Sequence, residues 1–282
     1  MHKVHWAAAA AITLLLIPSK FAWSLAFHAD LSPIHVTALP GDVVNASYTL
    51  GLAKTERKTH FKVRVEDVYK DEDGTPRFGG NLHLAHSCAA WVQVNPAEAT
   101  VEPGDDLVVR LTLAVPTEAK PGGYWCVLTV DEMPDPNAIL PGATSGVHML
   151  ASISTNIFID IAPLDKQARI LSVNFTKDQA SIRIANTGNC YLDESGRIEF
   201  VKPGTDTVVA TAKISRRFIF CEPINTALIK VDLPATHSLP SGRYLVRLIF
   251  DIGLDHYIGA QKEMDIDRGG DANNQGSGAS SK

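Results

Sequence analysis

Two histidines and a cysteine crowd together at His83-x-x-His86-x-Cys88, where metal-ligand residue types fall at close spacing. A tetrahedral site would need a fourth donor, for which His148 is a candidate, and a Cys88 held in a disulfide could not ligate as a thiolate. The segment is therefore expected to be a polar loop before a strand, and neither a metal nor any other cofactor is expected. Asp71-Glu72-Asp73-Gly74 supplies carboxylates at short spacing. A calcium loop also needs alternating oxygen ligands and a distant bidentate Glu, and Tyr69 stands where an acid would precede Asp71. A solvated hairpin turn is the expectation there. Nucleophile frames are missing: Ser145-Gly146 lacks the surrounding Gly-x-Ser-x-Gly, and neither HExxH nor a phosphate-cradling glycine loop occurs. The residue types point to binding, not catalysis.

The four cysteines, Cys88, Cys126, Cys190 and Cys221, fall two to each half of the chain. That division suits an oxidising compartment with one bond per half, Cys88–Cys126 and Cys190–Cys221. The N-terminus agrees. Lys3 precedes a run of about 11 apolar residues, Ala7 to Ile17, and Ser24-Leu25-Ala26 offers small residues for cleavage after Ala26. Such a run falls short of the ~20 residues that span a bilayer, so residues 1–26 read as a signal peptide, with a retained N-terminal anchor as the competing reading. The mature chain is expected to be periplasmic or secreted, with no membrane span. A net charge of −5 without a basic stripe makes nucleic acid an unsuitable partner.

The elements that must position these residues are strands. His60-Phe61-Lys62-Val63-Arg64-Val65 alternates apolar and polar residues, and so do Val43–Leu50, Leu107–Val115 and Ile153–Ile161, with Pro40-Gly41-Asp42 and Asp73-Gly74 as turns between strands. Period-2 segments separated by Gly, Pro and Asp predict an all-β chain of antiparallel sandwiches. The series restarts after Pro163-Leu164-Asp165-Lys166 with about seven more strands. The expected organisation is therefore two tandem immunoglobulin-like β-sandwiches, residues 27–163 and 164–266. A Gly-, Ser- and Asn-rich tail, 267–282, is too polar to offset its ordering entropy. The long 133–147 connection is a candidate functional loop. Trp91 and Trp125 each lie within a predicted strand and read as packing residues. Arg216-Arg217 beside Phe218-Ile219-Phe220 reads as a short strand with guarding charges, or as a contact surface on the second sandwich.

The halves share a phrase. Glu102-Pro103-Gly104-Asp105, the strand Val109–Pro116 and Pro121-Gly122-Gly123-Tyr124-Trp125 are echoed by Ile229–Pro234 and Pro240-Ser241-Gly242-Arg243-Tyr244. Glycine permits the sharp corner, and the tyrosine packs inward while its hydroxyl reaches loop backbone. With Trp91-Val92-Gln93-Val94-Asn95-Pro96, the first-half phrase resembles the N-terminal domain of bacterial PapD-like periplasmic (pilus) chaperones. The second half, with Asn186-Thr187-Gly188-Asn189, resembles immunoglobulin-like modules of bacterial cell-surface proteins.

The chaperone resemblance implies donor-strand complementation, in which an edge strand supplies alternating hydrophobics to an incomplete secreted or pilus-like subunit. The corresponding edge residues are Ile153, Thr155, Ile157, Ile159 and Ile161; an ordinary last strand paired within its own sheet is the competing reading. The family also places an Arg near the chain start and a Lys on this strand to anchor a terminal carboxylate. Here no Lys or Arg occurs between Phe27 and Ala53 or between Ile153 and Ile161, so that anchoring chemistry does not carry over. The alternative function is a cell-envelope or cell-wall-associated adhesion or scaffold protein, binding through the interdomain elbow or the 133–147 loop.

Overall fold

The computed structural model describes residues 27–29, 32–79, 82–134, 150–176, 178–233 and 239–266. The expected signal peptide, most of the 133–147 connection, His148 and the tail lie outside them. The first half contains β1 (Phe27–Ala29), β2 (Ile34–Thr37), β3 (Val43–Leu52), β4 (Thr59–Lys70), β5 (Pro76–Gly79), β6 (Val92–Asn95), β7 (Glu98–Val101), β8 (Asp106–Ala114), β9 (Gly122–Glu132) and β10 (Ser152–Ile161). The second contains β11 (Ala168–Phe175), β12 (Gln179–Asn186), β13 (Leu192–Val201), β14 (Val208–Ile219), β15 (Thr226–Asp232), β16 (Gly242–Asp251) and β17 (Ile258–Ile266).

The fold is all-β, with two tandem immunoglobulin-like sandwiches. In the first, a sheet ordered β1-β3-β8-β6 faces one ordered β2-β10-β9-β4-β5, with β7 also pairing β4. In the second, β11-β12-β15 faces β14-β13-β16-β17. β8 illustrates the cause: Leu107, Val109, Leu111 and Leu113 are buried while Val108 and Arg110 are exposed, so one face of the pleat is apolar and the other wet. Those leucines meet Phe61, Leu128 and Ile159 of the facing sheet in one core, and Ile182, Phe200, Ile229 and Phe250 belong to the other.

Both glycine-tyrosine corners form. The Tyr124 hydroxyl donates to the Lys120 carbonyl at 3.0 Å, and Tyr244 donates to Pro240 at 2.8 Å. Gly122 and Gly242 carry φ of 152° and 154°, which disfavour any side chain. At the first corner the requirement is also spatial: a Cβ on Gly122 would come within 2.8 Å of the Asn189 carbonyl, and one on Gly123 within 2.6 Å of Cys190 Cβ. The two glycines let the second sandwich approach the backbone of β9, and the Gly123 amide donates to the Asn189 carbonyl at 3.0 Å.

β9 departs from alternation because every residue from Gly122 to Val130 is buried. One face of the strand (Cys126, Leu128, Val130) enters the first core. The other face joins a third apolar cluster of Val68, Trp125, Val127 and Phe158 from the first sandwich with Tyr191 and Phe220 from the second. Trp125 stacks on Phe220 at 4.6 Å and 9°, and Phe158 on Tyr191 at 4.0 Å. The interdomain elbow is packed at this point.

Candidate functional site

The outer edge of β10 is the natural place to begin. β9 pairs with the whole strand, Ser152 opposite Asp131 through Ile161 opposite Gly122. On the other side β2 runs parallel to it only from Ile157 to Asp160, opposite Ile34 to Thr37. The Ala38 amide extends that coverage by donating to the Asp160 carbonyl at 3.1 Å. The chain achieves this by switching sheets: β1 pairs with β3 in one sheet, and β2 a few residues later with β10 in the other. Among the described residues, Ser152–Asn156 therefore has one unpaired edge.

The expected edge residues divide accordingly. Ile157, Ile159 and Ile161 are buried in the first core, and the edge beside Ile157–Asp160 is occupied by β2. Among the described residues the expected edge is thus unpaired only along the N-terminal half of the strand. Ile153 is half-buried at the rim of the core. Thr155 is buried, and its hydroxyl has no hydrogen-bond partner. Ser152 and Ser154 are exposed, with hydroxyls bonded to Asp131 at 2.7 Å and Thr129 at 3.0 Å.

The His83–Cys88 segment is structural. The Trp125 amide donates to the His86 carbonyl at 2.9 Å, and the Cys88 amide to the Trp125 carbonyl at 3.1 Å, so this loop runs as a short extra partner of β9. The His86 ring stacks on Trp125 at 5.5 Å, and its Nδ1 donates to the Gly123 carbonyl at 2.8 Å. The His86 amide donates to Glu222 of the second sandwich. No group of three or more His, Cys, Asp or Glu converges on a metal position among the described residues.

Pairing of the loop with β9 brings Cys88 to Cys126, with the sulfurs 2.9 Å apart, but Cys88, Cys126, Cys190 and Cys221 are all free thiols in the structure, so neither expected bond, Cys88–Cys126 or Cys190–Cys221, is present in it. Burial pushes the Cys88 thiol up, and those of Cys190 and Cys221 up to about 11 and about 12. None of these three is a reactive thiolate at neutral pH.

Asp71–Gly74 does form the β4–β5 turn: Asp71 and Gly74 amides donate to Thr75 and Asp71 carbonyls, each at 2.9 Å. Its tip is not simply solvated, however. Glu72 accepts from the Leu228 amide and the Thr226 hydroxyl, each at 2.6 Å, and pairs with Arg183, so the hairpin clasps the second sandwich. Nearby, Lys70, Arg217, Phe218 and Phe220 come together, and Glu194 lies fully buried 3.6 Å from Arg217. The sequence pattern of Arg216–Phe220 predicts a short strand with guarding charges or a contact surface, and no local pattern marks Lys70 or Glu194. Arg216 to Ile219 turns out to be the end of the long strand β14, and Phe218 and Phe220 pack on the first sandwich. The usable signal was Tyr124–Val130, whose consecutive apolar residues require cover on both faces of a strand.

No protein-family model matches the chain, and no curated protein does. Among solved structures the chain is similar to the class 5 fimbriae chaperone CfaA, at 12% identity over 84% of this chain and 99% of that one, with a TM-score of 0.48. It is also similar to the Pseudomonas aeruginosa CupB2 chaperone, at 13% identity over 85% and 100%, TM-score 0.44. A third likeness is to the Salmonella enterica SafA pilin–SafB chaperone complex, at 12% over 84% and 97%, TM-score 0.44.

Proposed function

We propose that this chain is a periplasmic or secreted binding protein of chaperone-like architecture, which offers the free half of β10 to an extended segment of a secreted or pilus-like subunit. The observation that carries the proposal is the edge at Ser152–Asn156, unpaired among the described residues, with Ile153 half-buried at its rim. An unpaired strand edge is a template for one more strand, with backbone hydrogen bonds providing affinity and alternate side chains providing register. The adjoining connection, 135–149, lies outside the described residues. The function is binding, with no catalytic step.

Substitution at Ile157 or Ile159 would empty the core, so the informative change is Ile153→Lys. This variant is expected to keep a cooperative unfolding transition and to lose at least tenfold of its partner in pull-downs from envelope extract with tagged protein. Undiminished recovery by a folded Ile153→Lys protein would exclude β10 as the docking edge.

The same compartment assignment carries a redox prediction. In an oxidising medium Cys88 and Cys126 form a disulfide, and reduction lowers stability by about 4 kcal/mol through restored freedom of the unfolded chain. Differential alkylation and peptide mass mapping check the bond, and urea unfolding with and without reductant checks its size. Full alkylation of both thiols in protein taken directly from the envelope would refute it.

A further inference from the structure

The outward face of the β3-β8-β6 sheet carries a polar patch that the packing of the fold does not use. Leu107, Val109, Leu111 and Leu113 of β8 turn into the first core, so Arg110 and Thr112 between them point outward. Strand register sets other polar side chains beside them. Ser47 of β3 and Asn95 of β6 lie opposite Arg110, and Asn45 and Gln93 lie opposite Thr112. Strands about 4.8 Å apart, with same-face residues about 7 Å apart along each, give this patch an extent of roughly 10 by 7 Å. Asn45, Gln93, Asn95, Arg110 and Thr112 line an open depression of about 340 Å3.

Arg110 is the cation of this depression, and among the described residues its guanidinium has neither a carboxylate nor a hydrogen-bond partner. That sets it apart within the chain. Except for Arg169, every other described arginine has a carboxylate within 3.6 Å. No acid lines the depression. Asp106, on the same face of β8, lies about 14 Å further along the strand, where it faces His28 at 3.8 Å. Around the guanidinium stand amides and hydroxyls, of which Asn45 and Thr112 bond one another at 3.1 Å. A side-chain amide presents both donors and an acceptor, and a guanidinium presents a donor fork that fits a carboxylate. A matching ligand therefore needs one carboxylate flanked by groups that both donate and accept. A phosphate would turn acceptor oxygens toward the amide carbonyls, with a single cation to balance its charge. A neutral sugar would leave Arg110 unmatched. A sugar acid supplies both features, its carboxylate for the fork and its ring hydroxyls for the amides.

We propose that this face binds an acidic saccharide of the uronate class, with a carboxylate on Arg110 and neighbouring hydroxyls on Gln93, Asn95 and Ser47. The inference does not depend on β10, which lies in the opposite sheet, so Ile153→Lys should leave saccharide binding intact. Isothermal titration with sodium trigalacturonate at constant ionic strength is expected to show saturable binding. Maltotriose, hexaglutamate and inorganic phosphate should each bind about tenfold more weakly or less, since each lacks either the carboxylate or the hydroxyls. Arg110→Met keeps the apolar stem of an exposed side chain, so the protein should unfold at the parent's urea midpoint while trigalacturonate affinity falls about tenfold. Gln93→Ala is expected to cost roughly fivefold, the loss of one neutral hydrogen bond, which attraction by charge alone would not show. Arg169→Met removes the other unpartnered arginine and should leave affinity unchanged. Absence of saturable trigalacturonate binding, equal binding of hexaglutamate or phosphate, or full affinity in folded Arg110→Met or Gln93→Ala protein would each overturn the proposal.

Discussion

Replacing Trp125 with alanine is expected to cost roughly 3–5 kcal/mol, the range for emptying a large aromatic site, and to uncouple the two sandwiches. Trp125 has no solvent exposure, stacks on Phe220 and His86, and donates its Nε1–H to the Val68 carbonyl at 2.9 Å. It points away from the first core, which retains Leu111, Leu128 and Ile157. The loss should therefore fall on the interface, converting a single urea transition into two that fluorescence and circular dichroism report at different midpoints. Trp125→Phe separates the contributions, because it keeps the stacking and leaves the Val68 carbonyl unpaired, at about 1–3 kcal/mol. A single transition of undiminished stability in Trp125→Ala would show that the third cluster does not couple the halves.

The second large effect is a pH dependence. Glu194 is fully buried, neither carboxylate oxygen has a hydrogen-bond partner, and burial raises its pKa to about 7, with Asp193 adding to the rise and Arg217 opposing it. The folded chain thus holds this proton more tightly than the unfolded chain, whose ordinary value is 4.5. The stabilising contribution of protonated Glu194 is complete below about pH 4.5 and is lost as pH rises through about 7; at about 1.4 kcal/mol per pKa unit it amounts to roughly 3 kcal/mol. Glu194→Gln removes the titration, so its urea midpoint should exceed the parent's at pH 8 and converge with it near pH 4.5. Parallel midpoint curves for the two proteins across that range would refute the assignment.

How far the fold was legible depends on what each signal measures. Alternation in Leu107–Leu113 reports one buried face, a local property, and it identified β8 without reference to any partner. The paired corners Gly122-Gly123-Tyr124 and Gly242-Arg243-Tyr244 were legible for the same reason: a positive φ and a hydroxyl reaching four residues back are constraints within one turn. The candidate edge was only half legible. Ile153–Ile161 announced a strand, but alternation carries no information on which side of a strand is paired. β2 lies more than a hundred residues earlier, and its parallel pairing with Ile157–Asp160 is a tertiary event.

The interdomain cluster was legible least. Lys70, Glu194, Arg217 and Phe220 are scattered over both halves, and each is unremarkable within its own strand. Their properties arise from desolvation and mutual approach when the sandwiches dock. The sequence by itself therefore determined an all-β chain of repeated sandwich units with matched corners, because backbone pleat and turn sterics act over a few residues. Only the tertiary structure decided that, among the described residues, β10 is unpaired on one side for half its length, that β9 is covered on both faces, and that Glu194 is buried beside Arg217. Those outcomes depend on packing between segments far apart in the chain, where burial and electrostatics are set by neighbours that no local pattern names.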